Sequence, residues 1–393
     1  MNTASLRPSA RTLIAASMGS SLLILLGRTR NSLPRLPSDP GYSYIADAAM
    51  SGLLSLVEGD PYFHVAARFL AWLTSWFPLS TQALVLASLV HLVWAGCATA
   101  IALVVKLESK STSMAVLAGM LLVAAPHASE SSIGNVGNVK WPLLTSLLVI
   151  CSSDRAVRQF RGLSITMMVL VGLSNPLSVL CVVPLAALSY RTRAISARAV
   201  QLGGLCLLMF IIQVIQVGGS AVLSGRSARV ARPWDGMGTF WWSGWLGPVI
   251  VSFFIIVLHL LVVEFVGVFS RFESLLAITA FVAAIASYLM GGIGDRYFVL
   301  PMTISLIALL VTIRELRTPN QLKRVVFGLA LIAIVVPTTK WFNAGWYMTG
   351  GPTWHSEVER ANTMCNAQSI PTVQLALSPD GSVELPCEYV LSG

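Results

Sequence analysis

The stretch TQALVLASLVHLVWAGCATAIALVV, residues 81–105, contains no acidic or basic side chain other than one histidine. Its 25 residues exceed the roughly 20 that an α-helix needs to cross the apolar core of a bilayer. The whole chain is similar in character, since 55% of its 393 residues are hydrophobic, 11% are charged and the mean hydropathy is +0.75. A soluble domain carries about 25% charged residues. The composition therefore excludes a soluble protein and predicts an all-α polytopic membrane protein.

Further apolar segments predict about 11 transmembrane helices in all. Several of the segments are shorter than a full crossing, among them the four consecutive ones from 113–126 to 176–190, and the Asn175-Pro176 step separates the last two of these four. Such a break favours paired short helices, with the non-helical backbone either inside protein or beside a water-filled cavity. The segments besides 81–105 lie at roughly 12–27, 113–126, 140–152, 162–174, 176–190, 201–217, 247–269, 274–290, 297–313 and 325–337.

The distribution of charge predicts the orientation of the chain. The net charge is +9, from 26 Lys and Arg against 17 Asp and Glu. With the N-terminus inside, 15 of the cations and only 5 of the acids fall on the inner side, as the positive-inside rule requires. We expect the C-terminus outside, and the basic balance then needs no nucleic acid partner. Residues 1–337 would form the transmembrane domain, with a first outer loop at 28–80, and residues 338–393 an extracytoplasmic tail.

The first outer loop contains two predicted helices. Tyr42–Val57 has helical apolar spacing, and Asp60 before Pro61 is a typical helix start. The helix Pro61–Phe77 is rich in aromatic residues and is expected to lie in the membrane interface. Asp60, His64 and Arg68 are four residues apart and share one face of it. They are either a helix cap with polar residues that face lipid headgroups or a polar stripe that faces a substrate cavity.

The second outer loop brings polar residues between two short apolar segments. Asn135 and Asn138 alternate with glycines, which favours a tight turn. Glu130 and Lys140 are costly near membrane depth unless they face water, each other or a ligand. Trp141 follows directly. The pattern therefore indicates either a tight connection or a binding site.

Two other outer segments carry arginine residues. Arg229 and Arg232 precede a run of tryptophans, which suits either a phosphate-bearing lipid at the interface or an aromatic anchor with a solvated basic turn. Asp295, Arg296 and Tyr297 follow a glycine-rich turn. Arg296 could pair with Asp295 or hold a phosphate through two hydrogen bonds.

The cysteines and histidines indicate structural roles and not a catalytic or metal site. Cys365 and Cys387 lie in the polar tail, where a disulfide is plausible on the oxidising outer side. His91, alone in an apolar helix, is expected to be a hydrogen-bonded packing residue. No Cys/His cluster indicates a metal or redox site.

On these residues the chain resembles the GT-C superfamily of integral membrane glycosyltransferases. The resemblance rests on four short motifs and on the long first outer loop and small outer tail. The motifs are Phe63-His64-x-x-x-Arg68, Gly134-Asn135-x-x-Asn138-x-x-Trp141, Leu173-Ser-Asn-Pro176 and Asp295-Arg296-Tyr297-Phe298.

The resemblance implies a polyprenyl-phosphate sugar donor and transfer of the sugar to an envelope glycan or glycolipid outside the bacterial cytoplasmic membrane. Such a transfer needs a carboxylate base for the acceptor hydroxyl and cations for the departing lipid phosphate. The candidate bases are Asp39, Asp47, Asp60 and Glu130. The candidate substrate-binding residues are His64, Arg68, Asn135, Asn138, Lys140, Trp141, Arg229, Arg232, Asp295, Arg296 and Tyr297. No cofactor is certain, and a divalent metal shared by two loop carboxylates stays open.

Two other classes of protein are alternatives. A flippase or transporter of lipid-linked saccharides would carry charges inside its helices and detectable repeats. A catalytically silent subunit of an envelope-assembly complex would need no base. The family places an acidic pair in the first outer loop, and no Asp-Asp or Asp-Glu pair occurs there in this chain.

Overall fold

The computed structural model describes residues 7–29, 43–57, 63–124, 135–192, 197–224, 272–291, 299–315, 351–368, 370–377 and 381–392, and single residues at 33, 35 and 133. About 85% of them are helical, which confirms the all-α prediction.

The helices, including short 3-10 turns, follow one another along most of the described chain. The α-helices are α1 (Arg7–Thr29), α2 (Ser43–Ser51), α3 (Val65–Thr74), α4 (Gln82–Ser109), α5 (Thr112–Ala124), α6 (Lys140–Cys151), α7 (Asp154–Gln159), α8 (Arg161–Gly172), α9 (Val182–Thr192), α10 (Ala197–Ser224), α11 (Phe272–Gly291), α12 (Val299–Glu315), α13 (Trp354–Gln368) and α14 (Cys387–Ser392). The 3-10 helices are Gly52–Val57, Leu79–Thr81, Val136–Asn138 and Pro176–Cys181, and the strands are β1 (Thr372–Ala376) and β2 (Ser382–Pro386).

Three helical stretches are long and apolar enough to cross a membrane. They are Ala10–Thr29, Leu79–Ser109 and Ala197–Gly218, with 20, 31 and 22 residues. The other apolar helices in the described part of the chain have 10–17 residues. The prediction of eleven crossings is therefore too high for these residues. The predicted segments 247–269 and 325–337 lie outside the described residues.

Local capping explains why the middle of the chain forms short helices. Helix α6 ends at Cys151, and Ser153 caps α7, its hydroxyl accepting a hydrogen bond from Ala156 N at 3.0 Å. Asn175 does the same for the turn Pro176–Cys181, its Oδ1 accepting from Leu177 N at 3.0 Å. Helices of 12 or 13 residues are about 20 Å long, against about 30 Å of hydrocarbon.

Helix α4 lies at the centre of the bundle, and α1, α5 and α6 pack against it. The approach of α5 is close because Gly119 has no side chain. A Cβ atom at Gly119 would lie 2.6 Å from Ala98 O on α4 and 2.8 Å from Ser17 Oγ on α1. Small residues on all three helices thus allow the backbones to meet, as is common between membrane helices.

Residues from the predicted outer segments and from a predicted inner loop contact opposite ends of α4. At its start, Trp354 of the tail donates its indole N–H to Leu79 O at 2.7 Å. At its end, Glu108 accepts a hydrogen bond from Ser153, which belongs to a predicted inner loop. This separation agrees with the predicted grouping of the loops.

The last described residues form a small folded unit, here called the C-terminal unit, which consists of α13, β1, β2 and α14. The two strands pair antiparallel with Thr372 opposite Pro386, and apolar residues alternate with polar ones along each strand. A disulfide joins Cys365 to Cys387, with 5.5 Å between their Cα atoms, and confirms the predicted pairing. The hydroxyl of Tyr389 accepts a hydrogen bond of 2.9 Å from Gln82 at the start of α4.

The carboxylate of Glu357 bonds to the free edge of β1. Glu357 Oε2 accepts hydrogen bonds from Ala376 N and from Arg360 Nη2, both at 2.7 Å. Arg360 Nη2 also donates to Gln374 O at 2.6 Å. Burial alone would raise the pKa of the Glu357 carboxyl, but the hydrogen bonds from Arg360 and Ala376 outweigh it and leave that pKa below its usual 4.5. The edge strand is thereby closed to further pairing at these groups.

Candidate functional site

The second predicted helix of the first outer loop, Pro61–Phe77, begins later than expected. Phe63 and His64 are not helical, and α3 begins at Val65 instead of Pro61. The reason is that other elements take the first backbone donors. Phe63 N donates to Gln213 Oε1 at 3.0 Å, and Val65 N donates to Leu173 O at 3.3 Å. Tertiary hydrogen bonds therefore set the start of α3.

Arg68 is the centre of the first loop. It is 4% exposed, and its Nη1 donates to Asp47 Oδ2 at 2.8 Å and to Ser55 O at 3.0 Å. Its guanidinium lies 4.7 Å from the centroid of the Tyr44 ring. A buried cation needs such partners. Two predicted site residues, Arg68 and Asp47, are thus bonded to each other and join α2 to α3.

His64 lies beside this ion pair. Its ring centroid is 5.6 Å from that of Tyr44, and the residue is 7% exposed. Burial, together with the nearby positive charges of Lys140 and Arg68, lowers the pKa of His64 from 6.5 to about 2. His64 is therefore neutral at physiological pH. It can donate a hydrogen bond from one ring nitrogen and accept one at the other.

The second outer loop meets the first through the turn Val136–Asn138, which packs against α3. Asn135 Oδ1 accepts from Gly137 N at 2.9 Å, and Asn138 Oδ1 accepts from the indole N–H of Trp141 at 3.3 Å. Both predicted binding asparagines thus shape their own loop. Their effect is to place Lys140, at the start of α6, where its charge acts on His64.

Lys140 is also held by an aromatic ring. Its Nζ lies 5.8 Å from the centroid of Trp141, a side chain that is 1% exposed. The structure thus brings His64, Arg68 and Lys140 together from two loops that are far apart in sequence. We call these three residues the basic cluster. With Asp47 included, the group carries one net positive charge, which suits an anionic ligand.

The other predicted site residues lie outside the described residues. They are Asp39, Asp60, Glu130, Arg229, Arg232, Asp295, Arg296 and Tyr297. In the part of the chain that the structure describes, no group of three or more His, Cys, Asp or Glu residues is placed to hold a metal ion. The carboxylates of the two outer loops that could share a divalent metal are mostly among the residues just named.

Sequence reasoning missed one residue that positions the basic cluster. Gln213 of α10 is fully buried, and its Nε2 donates to Gly172 O at 3.0 Å and to Phe63 O at 3.3 Å. With the bond from Phe63 N, the amide joins α10, the end of α8 and the start of α3. The available signal was a glutamine in the middle of the apolar segment 201–217, where a polar side chain is costly unless it has partners.

The break between α8 and α9 supplies the other anchor of α3. Ser174 Oγ accepts a hydrogen bond from Ala66 N at 2.8 Å, next to the bond between Val65 and Leu173. The predicted break at Asn175-Pro176 is present. Ser174, just before it, holds the first turn of α3, which directly follows His64 in the chain.

His91 has the packing role that its context predicts. Its Nε2 lies 2.8 Å from Thr29 Oγ1, and its Nδ1 contacts Ala87 O. Both ring nitrogens are thus engaged between α1 and α4.

No protein-family model matches the chain, and no curated protein matches it.

Proposed function

We propose that the protein is a GT-C-like membrane glycosyltransferase that uses a polyprenyl-phosphate sugar donor. The observation that carries the proposal is the basic cluster, in which Lys140 from one loop and Arg68 from the other both lie close enough to His64 for their charges to lower its pKa. The acceptor would be an envelope glycan or glycolipid. The cluster would face the outer side of the bacterial cytoplasmic membrane, with the N-terminus inside and the C-terminus outside. The opposite placement of the two groups of loops along α4 supports their assignment to two sides of the membrane, and the charge distribution predicts which side is inner.

Each member of the cluster has a separate role in this proposal. Lys140 would contact the phosphate directly, because a flexible ammonium suits a single phosphate oxygen. Arg68, already bonded to Asp47, would add positive potential and hold the loop. His64, neutral through burial, would donate its N–H to a phosphate or sugar oxygen without adding charge. Negative charge that develops on the departing phosphate would be stabilised in a site that excludes water.

The acceptor hydroxyl needs a base. Of the four predicted carboxylates, Asp47 is the one within the described residues, and Arg68 engages it at 2.8 Å. We propose that Asp47 positions Arg68, and that the base is one of Asp39, Asp60 and Glu130.

The engagement of Asp47 also favours a second candidate function. A catalytically silent subunit of an envelope-assembly complex would keep a lipid-phosphate cluster and have no base. In that case the protein would bind the donor lipid and transfer nothing.

A transfer assay tests the proposal. Purified protein in liposomes would receive a labelled polyprenyl-phosphate sugar and envelope glycan or glycolipid acceptors. We expect transfer by the wild type and a loss of roughly 100-fold in Lys140→Met. Lys106→Met, at the opposite end of α4, is the matched control and should keep its activity. Binding of the donor without transfer would select the silent subunit, and neither binding nor transfer would contradict both functions.

A further inference from the structure

The break between α8 and α9 contains two buried polar groups to which the described residues offer no partner. Asn175 is 2% exposed and Ser178 is fully buried. Within the described part of the chain, neither Asn175 Nδ2 nor Ser178 Oγ has a hydrogen-bond partner. Buried polar side chains are nearly always hydrogen-bonded, and each exception needs an explanation.

The two residues lie within one turn of each other. Ser178 N donates to Asn175 O at 3.0 Å, so the backbone between them is closed. Asn175 Oδ1 accepts from Leu177 N, which fixes which side-chain atom is oxygen and which is nitrogen. The remaining Nδ2 can only donate, whereas the Ser178 hydroxyl can both donate and accept.

The groups bonded to this break are uncharged. Cys206, near the middle of the span Ala197–Gly218, donates its thiol to Ser178 O at 3.0 Å. Gln213, on the same helix, bonds to Gly172 just before the break. Two neighbouring serines bond to a carbonyl one turn earlier, Ser164 to Phe160 O at 2.9 Å and Ser189 to Leu185 O at 3.0 Å. Ser178 follows no such pattern.

We propose that Asn175 Nδ2 and Ser178 Oγ form a binding site for an uncharged oxygen atom inside the helix bundle. A donor-only amide nitrogen requires a ligand atom with a lone pair. An anion buried between uncharged groups would be too costly. The ligand oxygen is therefore that of a water molecule or of a sugar hydroxyl. Non-helical backbone at membrane depth is tolerated where it is buried in protein or lines a water-filled cavity. This proposal does not depend on the proposed function.

The sign of one stability change tests it. Ser178→Ala removes a hydroxyl without changing the backbone. If the hydroxyl binds a ligand, the variant should unfold at a temperature roughly 2 to 4 °C lower than the wild type. If the hydroxyl has no partner at all, its removal should leave the midpoint unchanged or raise it. Ser164→Ala, which removes a buried hydroxyl with a known partner, is the matched control.

The measurement would be made on the full chain in detergent, once without saccharide and once with added glucose. A lower midpoint for Ser178→Ala in both samples supports a water molecule, and a lower midpoint only with glucose supports a sugar hydroxyl. An unchanged or raised midpoint in both would overturn the proposal.

A second measurement keeps the test decisive if Ser178→Ala does not fold. A cryo-EM map of the wild type in a nanodisc, at a resolution that shows ordered waters, should contain density within hydrogen-bond distance of Asn175 Nδ2 or Ser178 Oγ. Featureless density at both atoms, in a map that shows waters elsewhere, would also overturn it.

Discussion

Two arginine–carboxylate pairs hold two regions of this protein in different ways. Arg68 and Asp47, at 2.8 Å, are 21 residues apart in sequence and join two helices, and the arginine side chain is 5% exposed. Arg360 and Glu357, at 2.7 Å, lie three residues apart on one helix, and the arginine side chain is 43% exposed. The first pair determines the tertiary position of a loop. The second covers a strand edge in a unit that a disulfide already closes.

The comparison shows where the geometry depends on electrostatics. The basic cluster has no covalent link in its described residues, so its shape depends on buried polar bonds from Asp47, Gln213 and Ser174. In the C-terminal unit, strand pairing and the Cys365–Cys387 disulfide hold the fold. Loss of one polar partner should therefore affect the first region much more than the second.

The largest expected effect comes from removing the partner of the buried arginine. Asp47→Leu leaves Arg68 buried without its carboxylate, which should lower the free energy of unfolding by about 3–5 kcal/mol. Arg360→Met, the corresponding change in the exposed pair, should cost about 1 kcal/mol or less. Thermal unfolding followed by tryptophan fluorescence would measure both. Equal losses would contradict the distinction between the two pairs, and adding Arg68→Met to Asp47→Leu should restore part of the stability.

Loss of the disulfide should have the next largest effect, and that effect should be local. Replacing Cys365 and Cys387 by serine removes a cross-link between residues 22 apart, which should destabilise the C-terminal unit by about 3 kcal/mol. Limited proteolysis should then cut within residues 351–392 while residues 63–109 stay protected. Equal loss of protection in both regions would show that the C-terminal unit supports the basic cluster, contrary to the comparison.

Gln213→Leu should loosen the start of α3. The change removes the partner of Phe63 and Gly172, and we expect a loss of about 2 kcal/mol because three backbone groups, the N–H and C=O of Phe63 and the C=O of Gly172, lose their hydrogen bonds. Gln201→Leu, at an exposed position of the same helix, should have little effect. Hydrogen exchange at residues 63–68 would measure the change. Unaltered exchange in Gln213→Leu would remove this glutamine from the support of the cluster.

The smallest expected effect is a difference in pH dependence. The pKa of His64 falls from 6.5 to about 2 on folding, so the unfolded chain binds the proton first and stability is lost as pH falls below 6.5. The loss should be about 1 kcal/mol between pH 6.5 and about 5.5. The depressed pKa of Glu357 acts at a lower pH. The stability that this carboxylate contributes is present above its usual pKa of 4.5 and is lost as the pH falls further.

Hydrogen exchange resolved by region would separate the two effects. Residues 63–74 should lose protection at a higher pH than residues 372–386. The reverse order would contradict the burial of His64 as the dominant influence on its pKa.

The same contrast shows what sequence reasoning could and could not reach. The disulfide and the two strands follow from local signals, namely two cysteines in a polar tail and alternating apolar residues. The start of α3 does not, because it is set by Gln213 and Leu173, which are more than 100 residues away. The sequence placed Asp47 and Arg68 in separate groups of catalytic and binding residues. Only their tertiary contact shows that they bond to each other.

The central claim is that the basic cluster binds a lipid phosphate. Native mass spectrometry tests it most directly, on protein to which undecaprenyl phosphate is added in lipid before the protein is released into the gas phase. The wild type and Lys106→Met should retain the bound lipid, and occupancy in Lys140→Met should fall about tenfold, equivalent to roughly 1.4 kcal/mol. Equal occupancy in all three proteins would contradict the account, because the bound phosphate would then lie away from the basic cluster.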